Sequence, residues 1–246
     1  MACVASRVLE NNKTVFVGTG LPLVASMLAQ RLHAPDLVLI FEAGGIGPRL
    51  PMIPISVGDS RTFYQGVMAA SMDYTMGIAQ QGLVDYGFLG AAQIDKYGNL
   101  NTTVIGDHDK PKVRLPGSGG ANDVGSLCTR TIILMRQDKL RFVDKLDFLT
   151  TPGYLDGPGK REEAGLPEET GPYRVITQLC VMGFQERSKE MMLISVHPGV
   201  SVEEVEENTS FDLIIPDQVE ITDPPTLKEL RLLREEIDQE GIVIGR

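Results

Sequence analysis

The chain of 246 residues is short of basic charge and of long apolar runs. Lys plus Arg number 23 against 33 Asp plus Glu, and the formal net charge is -10. Binding to nucleic acid needs a basic face, so we expect no nucleic-acid partner, although a local basic pocket for one phosphorylated ligand stays possible. No apolar run approaches the roughly 18 residues that span a bilayer, so we expect no membrane association. The opening sequence MACVASRVLENN lacks the pattern of a secretory signal.

Cysteine is scarce as well. Cys3, Cys128 and Cys180 are far apart and form no CxxC pattern, which argues against a disulfide framework or a zinc site. Cys128 and Cys180 lie in apolar runs that are typical of buried thiols. Residues 107–109 (Asp-His-Asp) are better explained as a solvated turn than as a metal site, because three adjacent residues rarely converge on one ion. We expect a reduced, cytoplasmic protein without a metal.

Strand and helix patterns alternate in the first half of the chain. Residues 13–17 form a β-rich run, Pro22 suits the first turn of a helix that extends to residue 33, and residues 37–41 (LVLIF) are continuously apolar. A continuous apolar run is typical of a strand buried on both faces of a sheet. The β-α-β order predicts parallel strands joined by a right-handed crossover. We therefore predict one α/β domain over residues 1–246, with an open, mostly parallel sheet flanked by helices.

The remaining patterns are less regular. Ser201 with Glu204, and Thr226 with Glu229, have the spacing of capping boxes before two later helices, the last of which runs through LKELRLLREEID. The other predicted elements are a helix over 63–72, strands within 83–95, a strand over 129–135, another over 146–149, a long loop over 151–171, and a strand pair over 174–181 and 191–196.

Glu42 follows the predicted strand LVLIF directly and precedes Ala43, Gly44 and Gly45. Ligands of parallel α/β sheets bind outside the carboxyl ends of the strands, so a carboxylate at this point has a catalytic placement. The alternative is a glutamate that caps a helix or forms a salt bridge, and the pattern alone favours that alternative, because acids are common at strand ends.

Two other segments could stabilise negative charge. Residues 117–123 (GSGGAND) can leave backbone N–H groups free to point at one oxygen, or can form a plain surface turn. Asn99 and Asn101, in KYGNLNTT, could donate a side-chain N–H to an oxyanion, or could serve the turn in which they lie.

Several segments together resemble class I coenzyme A transferases, in particular β subunits of the glutaconate CoA-transferase type. The resemblance covers essentially the whole chain from about residue 15. It is carried, in order, by VGTGLPL, RLHAPDLVLIFEAG, SVGD, GAAQIDKYGNLN, GSGGAND, TPGYLDGPG and ENTSFDL.

The resemblance implies a role for each matching residue. Glu42 matches the family's nucleophile, which forms a glutamyl-CoA thioester, and Ala43 and Gly44 fall beside the substrate. The family usually has a polar residue where this chain has Ala43, which bears on the choice of acyl group. Gly119 and Gly120 match the glycine loop beside the active site, and Asn101 matches a position linked to the oxyanion hole.

The family's active site lies between two homologous subunits or halves. The resemblance therefore implies an α subunit and a hetero-oligomer that acts on an acyl-CoA and a carboxylic acid, a short dicarboxylic acid above all. CoA is a substrate, and no cofactor is implied. Two alternatives remain: an acyl-CoA hydrolase or decarboxylase on the same scaffold, and a catalytically silent subunit that senses acyl-CoA.

Overall fold

The computed structural model describes residues 1–245 as an alternation of short strands and helices. The helices are α1 (Ala2–Val8), α2 (Leu21–Leu32), α3 (Met72–Gln80), α4 (Ala121–Leu127), α5 (Lys160–Glu163), α6 (Val202–Glu207) and α7 (Leu227–Arg231). The strands are β1 (Thr14–Phe16), β2 (Val38–Ile40), β3 (Gly45–Ile46), β4 (Met68–Ala69), β5 (Tyr86–Leu89), β6 (Gln93–Ile94), β7 (Leu100–Asn101), β8 (Val104–Gly106), β9 (Pro111–Arg114), β10 (Arg130–Leu134), β11 (Gly171–Ile176), β12 (Cys180–Phe184), β13 (Met191–Val196) and β14 (Glu220–Ile221).

The chain divides into two compact units. The first contains Met1–Phe88 together with the residues from Pro224 onward, and the second contains Leu89–Asp223. The single domain over residues 1–246 stays a prediction. Within residues 1–245, every helix falls short of the length and apolarity that a membrane crossing requires.

In the first unit, neighbouring strands pair in the order β5-β1-β2-β3-β4. β2 and β5 run parallel to the central β1, whereas β3 and β4 continue the sheet antiparallel. Most of α2 is buried: Leu23, Val24, Met27 and Leu28 are at most 1% exposed. Leu39 of β2 is likewise fully buried. The chain therefore turns back at the carboxyl end of a fully packed strand.

In the second unit, neighbouring strands pair in the order β14-β13-β12-β11-β10, and β6–β7 and β8–β9 form two small hairpins. β10 and β11 are parallel, β12 joins β11 and β13 antiparallel, and β14 runs parallel to β13. The predicted fold class, an α/β chain with an open, mostly parallel sheet and flanking helices, is confirmed, and each unit also contains antiparallel strand pairs.

The elements predicted around the β-α-β unit are confirmed. β1, α2 and β2 form where predicted, and Thr14 to Phe16 pair in parallel with Val38 to Ile40. In the second unit, β10 and β13 also match their predicted positions. Thr226 and Glu229 form a complete capping box before α7, which continues into a π-helical segment, Leu232–Ile237. Ser201 caps α6 by accepting the Glu204 N–H at 3.2 Å.

Two predicted elements are wrong, and a third is divided into two strands. The helix over 63–72 is replaced by a 3₁₀ turn (Ser60–Phe63) and by β4, because Val67 N–H pairs with Ile46 O at 2.9 Å and draws the chain into the sheet. Residues 146–149 form no strand, and bends occupy residues 147 and 148, since Asp147 bonds through its side chain and backbone to Gln93. The run 174–181 is interrupted by a tight turn at Thr177, which separates β11 from β12. In the first two cases, a contact with a distant residue overrides the local pattern.

The predicted buried thiols are confirmed. Cys128 and Cys180 are fully buried, and desolvation raises the pKa of each to about 12, so both stay protonated thiols near neutral pH. Cys3 in α1 is buried as well, and none of the three forms a disulfide.

Candidate active site

Glu42 lies in a tight turn, residues 41–45, that links the end of β2 to β3 and is called the Glu42 turn below. The Phe41 N–H donates to Gly45 O at 2.8 Å, and the Gly44 N–H donates back to Phe41 O at 2.9 Å. These two bonds close the turn and place Glu42 and Ala43 at its tip. The turn sits at the carboxyl end of β2, as predicted from the run LVLIF.

Two glycines let neighbouring backbone pack against the Glu42 turn. Gly44 has φ +112°, and a Cβ atom there would lie 2.0 Å from Ala70 O. A Cβ atom on Gly45 would lie 2.1 Å from Thr62 O. Real Cβ atoms do not approach backbone so closely, and φ in this range strains any side chain. Gly44 is buried and holds the turn, and its predicted contact with substrate stays a prediction.

The backbone of Glu42 is fixed, and its side chain is not. Thr75, a fully buried residue of α3, donates its hydroxyl to Glu42 O at 3.0 Å. The Ala70 N–H donates to Gly44 O at 2.9 Å. Glu42 is half-buried, and within residues 1–245 no group donates a hydrogen bond to its carboxylate or forms an ion pair with it. This excludes the salt bridge and the helix cap within the described chain and leaves the carboxylate available to a reagent.

The SVGD segment, residues 56–59, lies against the same turn. A Cβ atom on Gly58 would lie 4.0 Å from the Ala43 Cβ atom. The segment is braced by Asp59, which accepts hydrogen bonds from the Arg61 guanidinium and from the Arg61 and Ile55 N–H groups. The hydrogen bonds from Arg61 lower the pKa of Asp59 well below its ordinary value. Ala43 therefore lies beside a segment that the Asp59–Arg61 ion pair holds in place.

Asn101 lies in β7, in the second unit, and its side chain is fully engaged. Its amide nitrogen donates to Gln93 Oε1 and to Val104 O, both at 2.7 Å, while its oxygen accepts the Thr103 N–H at 2.9 Å. The residue is 0% exposed. Both amide hydrogens are thus committed within the chain, and the oxyanion role of Asn101 stays a prediction.

Asn99 and Asp95 organise the preceding turn. The Asp95 carboxylate accepts the N–H groups of Tyr97 and Asn99 and the Asn99 side-chain amide, at 2.7–3.0 Å. Asn99 Oδ1 in turn accepts the N–H groups of Gly153 and Leu155 from the TPGYLDGPG loop. Burial outweighs these hydrogen bonds and raises the pKa of Asp95 to about 6. The turn explanation for Asn99 is confirmed.

The glycine loop, residues 117–120, precedes α4 in the second unit. Gly117 N–H and Thr102 O bond at 2.9 Å, and Thr102 Oγ1 donates to Gly117 O at 2.8 Å, which ties the loop to the residue after Asn101. Gly117 and Gly119 have φ of +93° and +49°, whereas Gly120 has φ −81°. The dihedral freedom of glycine is thus needed at Gly119, and Gly120 adopts a conformation open to any residue.

The N–H groups of Gly119 and Gly120 are adjacent, and among the described residues neither donates to an acceptor in the chain. Gly119 is exposed and Gly120 half-buried. A pair of free, adjacent N–H groups in a fixed loop is the arrangement from which an oxyanion site is built.

Residues 107–109 form an exposed turn. Asp107 Oδ1 accepts the N–H groups of Asp109 and Lys110. Over residues 1–245 there is no group of three or more His, Cys, Asp and Glu residues arranged to hold a metal ion.

The structure brings Glu42, Ala43 and Gly44 together in one turn of the first unit. It places Gly119 and Gly120 together in the second unit, with Asn101 one residue before Thr102, to which their loop is tied. Thr75 was not among the residues singled out from the sequence. Nothing in the local pattern YTMG marks this threonine, because its contact with the Glu42 turn is purely tertiary.

Comparison with known proteins assigns the chain to a family. Residues 1–208 match the model of the family described as Coenzyme A transferase. The chain is 43% identical over 241 residues to the B subunit of 3-oxoadipate CoA-transferase from Pseudomonas knackmussii, covering 95% of this chain and 90% of that protein. It is 40% identical over 243 residues to the B subunit of glutaconate CoA-transferase from Acidaminococcus fermentans, covering 96% and 90%.

A solved structure shows the same relationship in three dimensions. The crystal structure of glutaconate coenzyme A-transferase from Acidaminococcus fermentans superimposes with a TM-score of 0.94 at 38% identity, covering 99% of this chain and 95% of that one. The family match, the sequence identities and the shared fold agree with the motif order VGTGLPL to ENTSFDL. The chain belongs to the coenzyme A transferase family.

Proposed function

We propose that this chain is the catalytic β subunit of a class I CoA-transferase and that Glu42 carries CoA as a thioester between an acyl-CoA and an acceptor acid. One observation carries the proposal: a half-buried carboxylate at a strand end, with a fixed backbone and no partner for its side chain among residues 1–245. A structural glutamate would use its oxygens within the fold. A nucleophile must keep them free.

The chemistry needs only carboxylates and a thiol. A carboxylate is ionised at neutral pH and attacks a thioester when it is held in line. A Glu42 oxygen attacks the acyl carbon of the thioester. The carbon–sulfur bond breaks, CoA departs as the thiolate, and an acyl-glutamyl anhydride forms on the enzyme. The thiolate then attacks the glutamyl carbonyl, which releases the donor acid and forms glutamyl-CoA thioester. The acceptor carboxylate attacks that thioester, and the same two steps run in reverse. In this scheme CoA is a substrate and no cofactor takes part.

Each of these additions creates an oxyanion. The free N–H groups of Gly119 and Gly120 are the donors that we assign to it, since the amide hydrogens of Asn101 are committed to Gln93 and Val104. One such donor is typically worth about 3–4 kcal/mol in the transition state. Asn101 supports the loop by fixing the strand from which Thr102 reaches Gly117.

In this proposal the acyl group lies against Ala43. This residue is half-buried beside Glu42 and offers a methyl group in place of a polar side chain. The similar proteins are named for 3-oxoadipate and glutaconate, which are both dicarboxylates with short carbon chains. These names support a short dicarboxylic acid as the substrate class.

An α subunit completes the enzyme in this proposal. The similar transferases are named as B subunits, which supports a second kind of chain. The first unit also leaves the edge strand β4 exposed and presents several exposed apolar side chains between residues 52 and 74, as surfaces that bind partners do. These side chains are Met52, Ile55, Tyr64, Val67, Met68, Met72 and Tyr74. We place the hetero-oligomer in the cytoplasm, where the three unpaired thiols stay reduced.

Mass spectrometry of the assembled complex tests the proposal. After rapid quenching of the complex with saturating acyl-CoA and no acceptor, we expect an adduct of the mass of CoA on the peptide that contains Glu42, and borohydride should remove it by reduction. An adduct on another residue, or none at all, would contradict the mechanism. Acyl-CoA consumed without transfer would point to the hydrolase or decarboxylase, and binding without turnover to a sensing subunit.

A further inference from the structure

We propose that Thr75 is a positioning residue for the nucleophile, and this inference rests on the proposed function of Glu42. The Thr75 side chain is 0% exposed, and its hydroxyl lies 3.0 Å from Glu42 O. The carbonyl belongs to the residue that attacks, so the contact reaches the nucleophile through its own backbone.

The position of Thr75 explains why a side chain is needed at this point. The neighbouring carbonyl of the turn, Gly44 O, is held by a backbone donor, the Ala70 N–H. Glu42 O points instead toward the first turn of α3, where Thr75 supplies the donor. Helix α3 thus begins directly after the strand that fixes one side of the Glu42 turn, and its first turn fixes the other side.

A competing explanation is a purely helical role. The Thr75 hydroxyl is also 2.9 Å from Met72 O, three residues earlier in α3, and threonines in helices often bond back to such carbonyls. A hydroxyl carries one hydrogen, so the two carbonyls share it. If the bond to Met72 O were the one that matters, loss of the hydroxyl would alter α3 and leave the reactivity of Glu42 unchanged.

The bond to Glu42 O has a direct consequence for the attack. It restrains the peptide between Glu42 and Ala43, and so it sets the direction in which the Glu42 side chain leaves the turn. Displacement of a reacting group by about 1 Å can cost about 100-fold in rate. Loss of the bond should therefore slow the attack on the thioester and leave the affinity for acyl-CoA nearly unchanged.

The test compares Thr75→Val, which keeps the shape and loses the hydroxyl, with Thr75→Ser, which keeps the hydroxyl. Thr131→Val is the matched control, because Thr131 is 2% exposed and its hydroxyl has no hydrogen-bond partner among residues 1–245. In single-turnover experiments on the assembled complex, we expect Thr75→Val to lower the rate of adduct formation on Glu42 by about 10- to 100-fold. The KM for acyl-CoA should change by less than about twofold. Thr75→Ser should restore most of the rate, and Thr131→Val should leave it unchanged.

Hydrogen exchange gives a second measurement that does not depend on catalysis. Thr75→Val should speed exchange of the amides in residues 41–46 and leave exchange in the second unit unchanged. A Thr75→Val complex with normal exchange there and a normal adduct rate would overturn the inference, as would a Thr75→Ser complex as slow as the valine variant. If the wild-type complex forms no adduct on Glu42, the proposed function fails, and exchange over residues 41–46 still decides whether Thr75 fixes the turn.

Discussion

The Glu42 turn and the segment from Asp95 to Asn101 use their side chains in opposite ways. In the Glu42 turn, backbone bonds and the Thr75 hydroxyl hold the chain, while the carboxylate has no partner among residues 1–245. In the other segment, the side chains of Asp95, Asn99 and Asn101 hold the chain. The side-chain amide hydrogens of Asn99 and Asn101 are all used in this way. A side chain that stabilises a loop uses its hydrogen-bonding groups within the fold. A side chain that reacts with a substrate must keep these groups free.

Both segments belong to the motifs that resemble the CoA-transferases, EAG in one case and DKYGNLN in the other. The resemblance alone implies a role in catalysis for both segments. The hydrogen bonds separate them, because they show that one motif presents a carboxylate and that the other braces the TPGYLDGPG loop through Gly153 and Leu155. The following substitutions test this division.

Glu42→Gln should have the largest effect on activity and almost none on stability. Glutamine lacks a nucleophilic oxygen anion, so CoA transfer should fall by at least about 10⁴-fold. Since the carboxylate has no partner within residues 1–245, the free energy of unfolding should change by less than about 0.5 kcal/mol. Steady-state kinetics and chemical denaturation on the same complex check both halves. Glu42→Asp, one methylene short, should also lose transfer.

Glu186→Gln serves as the control for Glu42→Gln. Glu186 is exposed in the turn after β12, so this substitution should alter neither transfer nor unfolding. If the glutamine at position 42 left transfer near normal, the covalent mechanism would be wrong. A large loss of stability in Glu42→Gln would instead show that the Glu42 side chain stabilises the fold, as the side chains of Asp95 and Asn99 do.

The sequence predicts the Glu42 turn well because its determinants are local. The apolar run before Glu42 and the glycines after it lie within ten residues and together mark the end of a buried strand. The helix over 63–72 fails because the pairing of Val67 with Ile46 is a tertiary contact. The internal use of the Asn101 amide is equally invisible, since Gln93 is eight residues away and no local pattern links the two.

Gly119→Ala should have the next largest effect. Its φ of +49° is open to glycine but costs alanine about 1–2 kcal/mol, although a Cβ atom there meets nothing within 4 Å. Relief of that strain should rotate the N–H groups at the tip of the glycine loop. If they stabilise the oxyanion, kcat should fall by about 10²- to 10³-fold, as measured by steady-state kinetics of the complex.

Gly117→Ala separates strain from catalysis. Gly117 also has a positive φ and open space around it, but its N–H is committed to Thr102 O. Its substitution should cost similar stability with little loss of kcat. Equal losses of kcat in both alanine variants would show that loop shape, and not the two free N–H groups, is what activity requires. Gly120→Val tests bulk alone, because φ −81° suits valine without strain.

Asn101→Ala should lower stability and leave activity nearly unchanged, which is the opposite of the result expected for Glu42→Gln. The substitution strips buried partners from Gln93, Thr103 and Val104 and should cost about 3–4 kcal/mol of unfolding free energy. The kcat per folded complex should change little. Asn208→Ala, whose amide bonds to Glu204 O at the surface, should cost about 0.5 kcal/mol or less. A stable Asn101→Ala complex with a large loss of kcat would make Asn101 a catalytic donor after all.

Asp95→Asn should have the smallest effect, a change in how stability depends on pH. Burial raises the pKa of Asp95 to about 6 from 3.8, so between these values the folded chain binds more protons than the unfolded chain. The contribution of Asp95 to the free energy of unfolding is therefore fully present below about pH 3.8. It is lost as the pH rises through about 6, and the loss is at most about 3 kcal/mol.

Denaturation of both complexes at intervals from pH 4 to pH 7 measures this contribution of Asp95. The other carboxylates titrate alike in both proteins, so the difference in unfolding free energy isolates Asp95, and wild type should lose stability relative to Asp95→Asn as the pH rises. A difference that stayed level or moved the other way would show that the N–H donors of Tyr97 and Asn99 outweigh burial. Asp95 would then be held as a stabilised anion within its turn, in further contrast to the unpaired carboxylate of Glu42.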